Sequence, residues 1–399
     1  MTAPPRIVDA AEMGRRVIEP AEFVPDTEAF VDVRLPRSSG KASYSLIGPG
    51  VSQNSGQSIN LTEPHGFCVG AASMPHGTVN NPHLHYTAEV FICTRSRWRM
   101  TIGQRGEQTL EIGPGTVFSA PTWVFRGFEN IGGDDGWLFT VLGGDDTGGI
   151  IWAPDVLRQA AETGLYLASD HTVMERTNDQ CVADAIVPLD DEEFESVDSY
   201  TTSQLRSRAV GLDSLDWSRR SLLSSVLTGH ASAVAPVIGF GMSEDRRHSP
   251  AIWNPHGFSI EWLSVPAGSR VGLHRLDGSQ VLLLKQGDWE VRFNRGDAVA
   301  STRPPPEAVV SVPAGAWRDF ANVGAGDATA LVVCGGDARA RIEWDPAIMH
   351  SAHAAGWARD AGGYLAPLRL LAGSVPAIDA DFSDTHMVNS NEHLPRREN

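Results

Sequence analysis

The chain has 399 residues, 41% apolar and 20% charged, enough for two or three globular domains with buried cores. Its formal net charge of −17 opposes both nucleic acid and anionic membrane surfaces, and no apolar run reaches membrane-spanning length. Gly 40 and Pro 25 suit many short strands joined by tight turns, while Cys68, Cys93, Cys181 and Cys334 are too scattered for a disulfide framework or a zinc ribbon.

The opening MTAPPRIVDAAEMGRRVIEP has no apolar stretch between its charges, so it does not read as a secretory signal and a cytoplasmic location is expected. Residues 1–40 carry few strand signals and read as an arm that packs on a neighbour. From residue 41, β-favouring runs such as WRMTIG, TLEIG, TVFSAP and WLFTVLGG alternate with Gly and Pro, the pattern of an antiparallel sandwich or barrel. Within this region lies NPHLHYTAEVF (81–91). In a continuous strand, His83, His85 and Glu89 would share one face with Phe91, opposite Leu84, Tyr86, Ala88 and Val90. WAPDVLRQAAETG then signals a helix with Pro154 at its first position.

Residues 171–230 read as an acidic link, LDDEEFESVDS, followed by QLRSRAVGLDSLDWSRRSLLSSVL at roughly helical spacing. After it the chain repeats itself. PHGFCVGAASMPHGTVNNPHLHYTAEV (64–90) aligns without a gap on PHGFSIEWLSVPAGSRVGLHRLDGSQV (255–281), FRGFENIG on WRDFANVG, and VLGGDDTGGIIWAP on VVCGGDARARIEWDP. Two copies of one domain follow, at about 41–170 and 231–372, the second closing on a helix that Asp345 caps ahead of Pro346. Residues 373–399, with His386 and His393, read as a loosely held polar tail.

These residues resemble the cupin superfamily. Gly77, five residues, His83-Leu84-His85, three residues and Glu89 match the first cupin motif, with Ser96 at its closing Gly. Gly115, Pro121 and Asn130 match the second, but Trp123 replaces Gly and Arg126 replaces the fourth ligand, His. The second copy keeps Gly268, His274, Gly287, Pro313, Gly315 and Asn322, yet has Leu276, Gln280 and Arg318 at ligand positions. The resemblance implies an all-β bicupin: two tandem jelly-roll barrels with short helices after each and in the linker. It also implies a metal in the first barrel only, leaving the second as scaffold or dimerisation surface with a cavity still open to some occupant.

Two imidazoles and a carboxylate suit Fe(II), Mn(II), Zn(II), Ni(II) or Cu(II) and leave open positions for substrate or dioxygen. Against this stands the reading of His83 and His85 as hydrogen-bonded interior groups, with Glu89 paired to Arg126. Arg126 either anchors a substrate carboxylate beside the metal or is structural, as Arg318 at the same place in the metal-free copy suggests. Phe91, Phe128 and Trp98 either line the substrate pocket or fill the core. His76 is an outside candidate for a further ligand, and His65 and His256, in matching PHGF turns, are expected to serve the fold.

The functional expectation is a mononuclear metal-dependent oxygenase resembling the ring-cleaving bicupin dioxygenases. It would have Fe(II) as first choice over manganese, nickel or zinc, act on a small anionic, carboxylate-bearing substrate with dioxygen, and assemble as a homo-oligomer. Glu89 and Arg126 would be its catalytic side chains. The ring-cleaving members typically use three His, which puts the substrate class in question. The alternative is a non-redox metal-dependent lyase, isomerase or decarboxylase; oxalate decarboxylases are bicupins whose two motifs normally keep all four ligands. A metal-free binding bicupin is the third reading.

Overall fold

A computed structural model describes residues 5–176, 184–190 and 192–371. Cys181 and the tail with His386 and His393 lie outside the described residues. The expected tandem barrels are present. In the first, a five-stranded sheet runs Ile150–Trp152, Val79–His85, Arg126–Asn130, Trp98–Ile102, Gln108–Ile112. It faces a seven-stranded sheet whose centre is Val117–Ala120, Glu89–Arg95, Gly136–Gly143, Phe67–Met74 and Ala42–Ile47. The second barrel repeats both orders, with Arg318–Asn322 and Arg270–Leu276 in the small sheet and Val309–Val312, Gln280–Gln286, Ala328–Gly335 and Phe258–Val265 in the large one.

Side-chain alternation along these strands separates the barrel interiors from a buried junction between the barrels. In Gln280–Gln286, Leu282 and Leu284 point into the second barrel, while Val281 and Leu283 point out of it. The outward residues are not solvated. They join Val69, Ala71, Val90, Ile92, Val117, Phe139 and Val141 of the first barrel in one buried cluster, so the two large sheets pack face to face. This explains why their strands read as near-continuous apolar runs rather than alternating ones. Phe67 and Phe258, from the matching PHGF turns, meet across the junction with ring centroids 6.1 Å apart.

The histidines of those turns cross the junction reciprocally. His65 Nε2 bonds Ser311 Oγ of the second barrel at 2.7 Å, and His256 Nε2 bonds Ser119 Oγ of the first at 2.7 Å. Each turn is fixed from behind by an aspartate accepting two backbone N–H groups, Asp145 from His65 and Gly66, Asp337 from His256 and Gly257. Both histidines serve the fold, as expected.

The repetition extends beyond the aligned segments. Val17–Ile18 adds a strand to Val309–Val312 of the second barrel, and Ala209–Val210 adds one to Val117–Ala120 of the first in the equivalent register. The opening arm, expected to reach a neighbour, thus lies on the far barrel of its own chain. The helix expected over QLRSRAV and beyond is confined to Thr202–Arg206, capped by Thr201 and Gln204. Strand pairing at 209–210 and the following 3-10 turns replace it, because sheet addition satisfies the backbone that a helix would otherwise have to satisfy itself. The helices Pro154–Glu162 and Pro346–Ala354 form as expected, with Asp345 accepting from Ala347 N at 2.9 Å. Ser96 stands where the motif has Gly and adopts φ 69°, the left-handed region; its hydroxyl offsets the strain by donating to Asn130 Oδ1 at 2.6 Å.

Burial holds the rings of His65 and His256 below the 6.5 of a free imidazole. The unfolded chain therefore takes up protons first as pH falls through that value, and the stability contributed by the neutral folded rings is progressively lost. Urea midpoints are expected to drop from about pH 8 to about pH 5, and to drop less steeply in His65→Gln and His256→Gln. An unchanged slope in both variants would contradict this account of the junction.

Candidate metal centre

His83, His85 and Glu89 converge, but not from one face of one strand. His83 and His85 end the strand Val79–His85, but the chain turns at 86–88 and Glu89 opens the next strand in the opposing sheet. The three side chains meet across the barrel interior rather than along one strand. All are buried, and their ligand atoms lie within 4.8 Å of one another. Arg126 starts the strand that pairs with both Val79–His85 and Trp98–Ile102, in register with His83, and is fully buried.

His83 donates from Nδ1 to the Asn81 carbonyl at 2.7 Å, a bond that fixes the tautomer and leaves Nε2 as the lone-pair nitrogen. His85 makes no well-aligned hydrogen bond at either ring nitrogen, with the Gly149 backbone and Glu89 its nearest polar neighbours. Burial, then the Arg126 guanidinium, lowers both rings, His83 to about 3 and His85 well below its ordinary value, so both are neutral near pH 7. Glu89 Oε2 lies between the two sides of the site, 3.1 Å from Arg126 Nε and 3.4 Å from His85 Nε2. Burial raises the Glu89 carboxyl and lowers the Arg126 guanidinium, each opposed by attraction to the other. For this pair, removal from water outweighs mutual attraction. Arg126 Nη1 donates to the Val124 carbonyl at 3.2 Å, and Nη2 has no partner.

The two sequence readings of this cluster are thereby separated in part. The Glu89–Arg126 contact of the metal-free reading exists, whereas His85 has no well-aligned hydrogen bond, only Gly149 backbone and Glu89 Oε2 nearby. A fully buried imidazole so weakly satisfied, beside a second imidazole and a carboxylate, fits a divalent cation. Glu89 stands between Arg126 and that position, which screens the two positive charges from one another.

Phe91, Phe128 and Trp98 lie in one buried aromatic cluster, with Phe91–Phe128 centroids 5.1 Å apart and Trp98–Phe128 5.9 Å. Trp98 Nε1 donates to the Arg95 carbonyl. His76 is exposed and bonds the Gly132 carbonyl, away from the triad. Several neighbours of the site escaped sequence reasoning. Lys41 is buried against Asp32, donates to Asn80 Oδ1 at 2.7 Å, and adds to the lowering of His83. Trp152 packs on His83 at 5.2 Å, as Trp344 packs on His274 at 5.3 Å. The repeat of that tryptophan was a usable signal; nothing local marks Lys41. Trp123, at the motif's Gly, is held at φ 53°, donates its backbone N–H to the His85 carbonyl and meets Tyr86 edge-on at 5.6 Å.

No protein-family model matches the chain, and no curated protein does. Solved structures do. The oxalate decarboxylase of Lactobacillus farciminis in its formate complex is similar at a TM-score of 0.52 and 13% identity, over 84% of this chain and 89% of that one. Oxalate decarboxylase from Bacillus subtilis at pH 4.6 is similar at 0.51 and 12%, over 85% and 82%. Identity this low establishes the fold: two barrels arranged as in these bicupins.

Glu89→Ala leaves a buried guanidinium without its carboxylate and is expected to cost about 3–5 kcal/mol in urea unfolding. Glu89→Gln copies the Gln280–Arg318 arrangement of the second barrel and is expected to cost clearly less. Equal losses in the two variants would show that the ion pair is not what burial of Arg126 requires.

Proposed function

With the two-barrel fold of the oxalate decarboxylases as its frame, we propose that the first barrel binds one divalent cation and acts on a small carboxylate. His83, His85 and Glu89 are the ligands, and the reaction is a non-redox, metal-dependent decarboxylation or related lyase step. The observation that carries this reading is the convergence of His83, His85 and Glu89, all buried, with one ligand atom of each within 4.8 Å of the others.

The donor set accepts iron, manganese, nickel or zinc. A cation held there supplies Lewis acidity, polarising a bound carboxylate and stabilising negative charge as a carbon–carbon bond breaks. The chain's own residues do the rest. Arg126 offers its free Nη2 to a substrate carboxylate, and its contact with Glu89 sets the guanidinium plane. The Asn81 carbonyl keeps the His83 lone pair directed at the centre. Phe91 and Phe128, two residues along their strands from Glu89 and Arg126, pack with Trp98 in a buried apolar cluster that keeps that side of the centre dry.

Charge selects the substrate class. Glu89 and Asp32 balance Arg126 and Lys41 in formal charge, so a divalent cation leaves an excess that a small dicarboxylate dianion neutralises. This is the alternative from the sequence rather than its first expectation. The similar structures bear on a decarboxylase, not on a dioxygen-dependent ring-cleaving enzyme. A gap separates this site from those enzymes' four-ligand motifs, since Arg126 stands at the fourth ligand here.

Elemental analysis of protein purified from metal-supplemented medium is expected to find about one equivalent per chain, lost in His85→Ala. Such protein should release CO2 from a small dicarboxylate such as oxalate without consuming oxygen. Metal-free protein that is unaffected by added metal would refute the reading; stoichiometric oxygen uptake would return it to the oxygenase. Arg126→Lys keeps the charge but loses the planar fork, and is expected to raise KM about tenfold or more at unchanged metal content. Loss of metal instead would make Arg126 a structural support of the centre.

A further inference from the structure

The second barrel keeps half of the same constellation. His274 and Arg318 are cross-strand partners, as His83 and Arg126 are in the first barrel, and both are fully buried. What changes is the surrounding charge. Gln280 stands where the first barrel has Glu89, and Leu276 where it has His85. Arg318 Nε donates to Gln280 Oε1 at 3.3 Å and Nη1 to the Ala316 carbonyl at 2.8 Å, but Nη2 has no partner. Among the described residues no carboxylate forms an ion pair with it.

Burial holds the other titratable groups around this guanidinium toward their neutral forms. The Gln280 amide is oriented by its Nε2 contacts to Met242 Sδ and Cys334 Sγ, which turn Oε1 toward the arginine. Burial pushes the Cys334 thiol far above its ordinary value, so it carries no charge. Glu261 on the adjoining strand holds both oxygens against Met242 N and is raised by burial to about 8. Arg318 itself is pushed down to about 9, the mark of a cation with nothing to answer it.

His274 supplies the complementary group. Its Nδ1 donates to the Gly272 carbonyl at 2.7 Å, which leaves Nε2 as an acceptor, and that nitrogen is also bare. Trp344 and Phe320 close the sides of the ring at 5.3 Å and 5.8 Å. A buried charged N–H donor and a buried imidazole acceptor, side by side, match a monoanion that presents one anionic oxygen and one O–H. Formate has no O–H, so its binding takes up one proton from solvent, shared between His274 Nε2 and a carboxylate oxygen.

We propose that the interior of the second barrel is a metal-independent site for a small planar oxoanion, formate or bicarbonate in size, held between Arg318 Nη2 and His274 Nε2. The site does not depend on the reading given for the first barrel. Its geometry uses the His–Arg pair that both barrels share, with leucine and glutamine at the positions of His85 and Glu89.

The test is thermal unfolding and calorimetric titration of the full chain in chelator, with formate in CO2-free buffer, with bicarbonate, and with chloride. Stabilisation by formate identifies a carboxylate site, and stabilisation by bicarbonate alone identifies hydrated CO2 as the ligand; either supports the proposal. Arg318→Met should weaken binding about tenfold or more. Because that variant could fail to fold, Gln280→Glu is the second arm: it gives Arg318 an internal carboxylate, as Glu89 does for Arg126, but with no cation proposed here to offset the added negative charge, and should abolish the anion response while the protein stays folded. Arg126→Lys should leave it intact. No response to either oxoanion at tens of millimolar, an equal response to chloride, or a response surviving Gln280→Glu would overturn the site.

Discussion

Face-to-face burial of the two large sheets is the constraint on which the molecule rests. Each barrel alone would expose a broad apolar face formed by residues such as Val90, Ile92, Val281 and Leu283, and only the other barrel covers it. The His65–Ser311 and His256–Ser119 bonds fix the register of that contact, each serine hydroxyl being held in place by a second bond, from Arg16 to Ser311 and from Arg208 to Ser119. Apolar packing supplies attraction without direction; the two polar bonds supply the direction.

That contact also fixes where chemistry can occur. With one sheet of each barrel committed to the junction, the strands Val79–His85 and Arg270–Leu276 lie in the smaller sheets, away from it. The interior groups they carry are free to diverge without disturbing the assembly. The first barrel surrounds its arginine with a carboxylate and two imidazoles, and the second surrounds an identical arginine with an amide, a thiol and one imidazole. One framework thus presents two electrostatic environments, and the difference comes down to the residues at 85 and 89 against 276 and 280.

The sequence carried most of this fold. An ungapped repeat of such length admits few explanations, and turn residues marked its strands. It also identified His83, His85, Glu89 and Arg126 as a group, because motif spacing survives when tertiary geometry is unknown. It did not reveal how they meet: strand parity supposes an unbroken strand, whereas the turn at 86–88 sends Glu89 to the opposite sheet. Lys41 and Asp32 were invisible because their approach to His83 depends on a contact between the arm and the barrel that no local pattern encodes. The failed helix beyond Arg206 has a similar origin, since periodicity cannot register that a sheet edge is waiting for Ala209–Val210.

The strand Val17–Ile18 closes the edge of the barrel furthest from it along the chain. Synthesis from the amino terminus therefore makes this strand long before its partner Val309–Val312 exists, and the last barrel cannot finish its sheet until the first-made residues return to it. Excising the second repeat as a separate unit would uncover that edge, a ready template for intermolecular strand pairing. Residues 17–18 and the second barrel are thus tied together across the intervening first barrel.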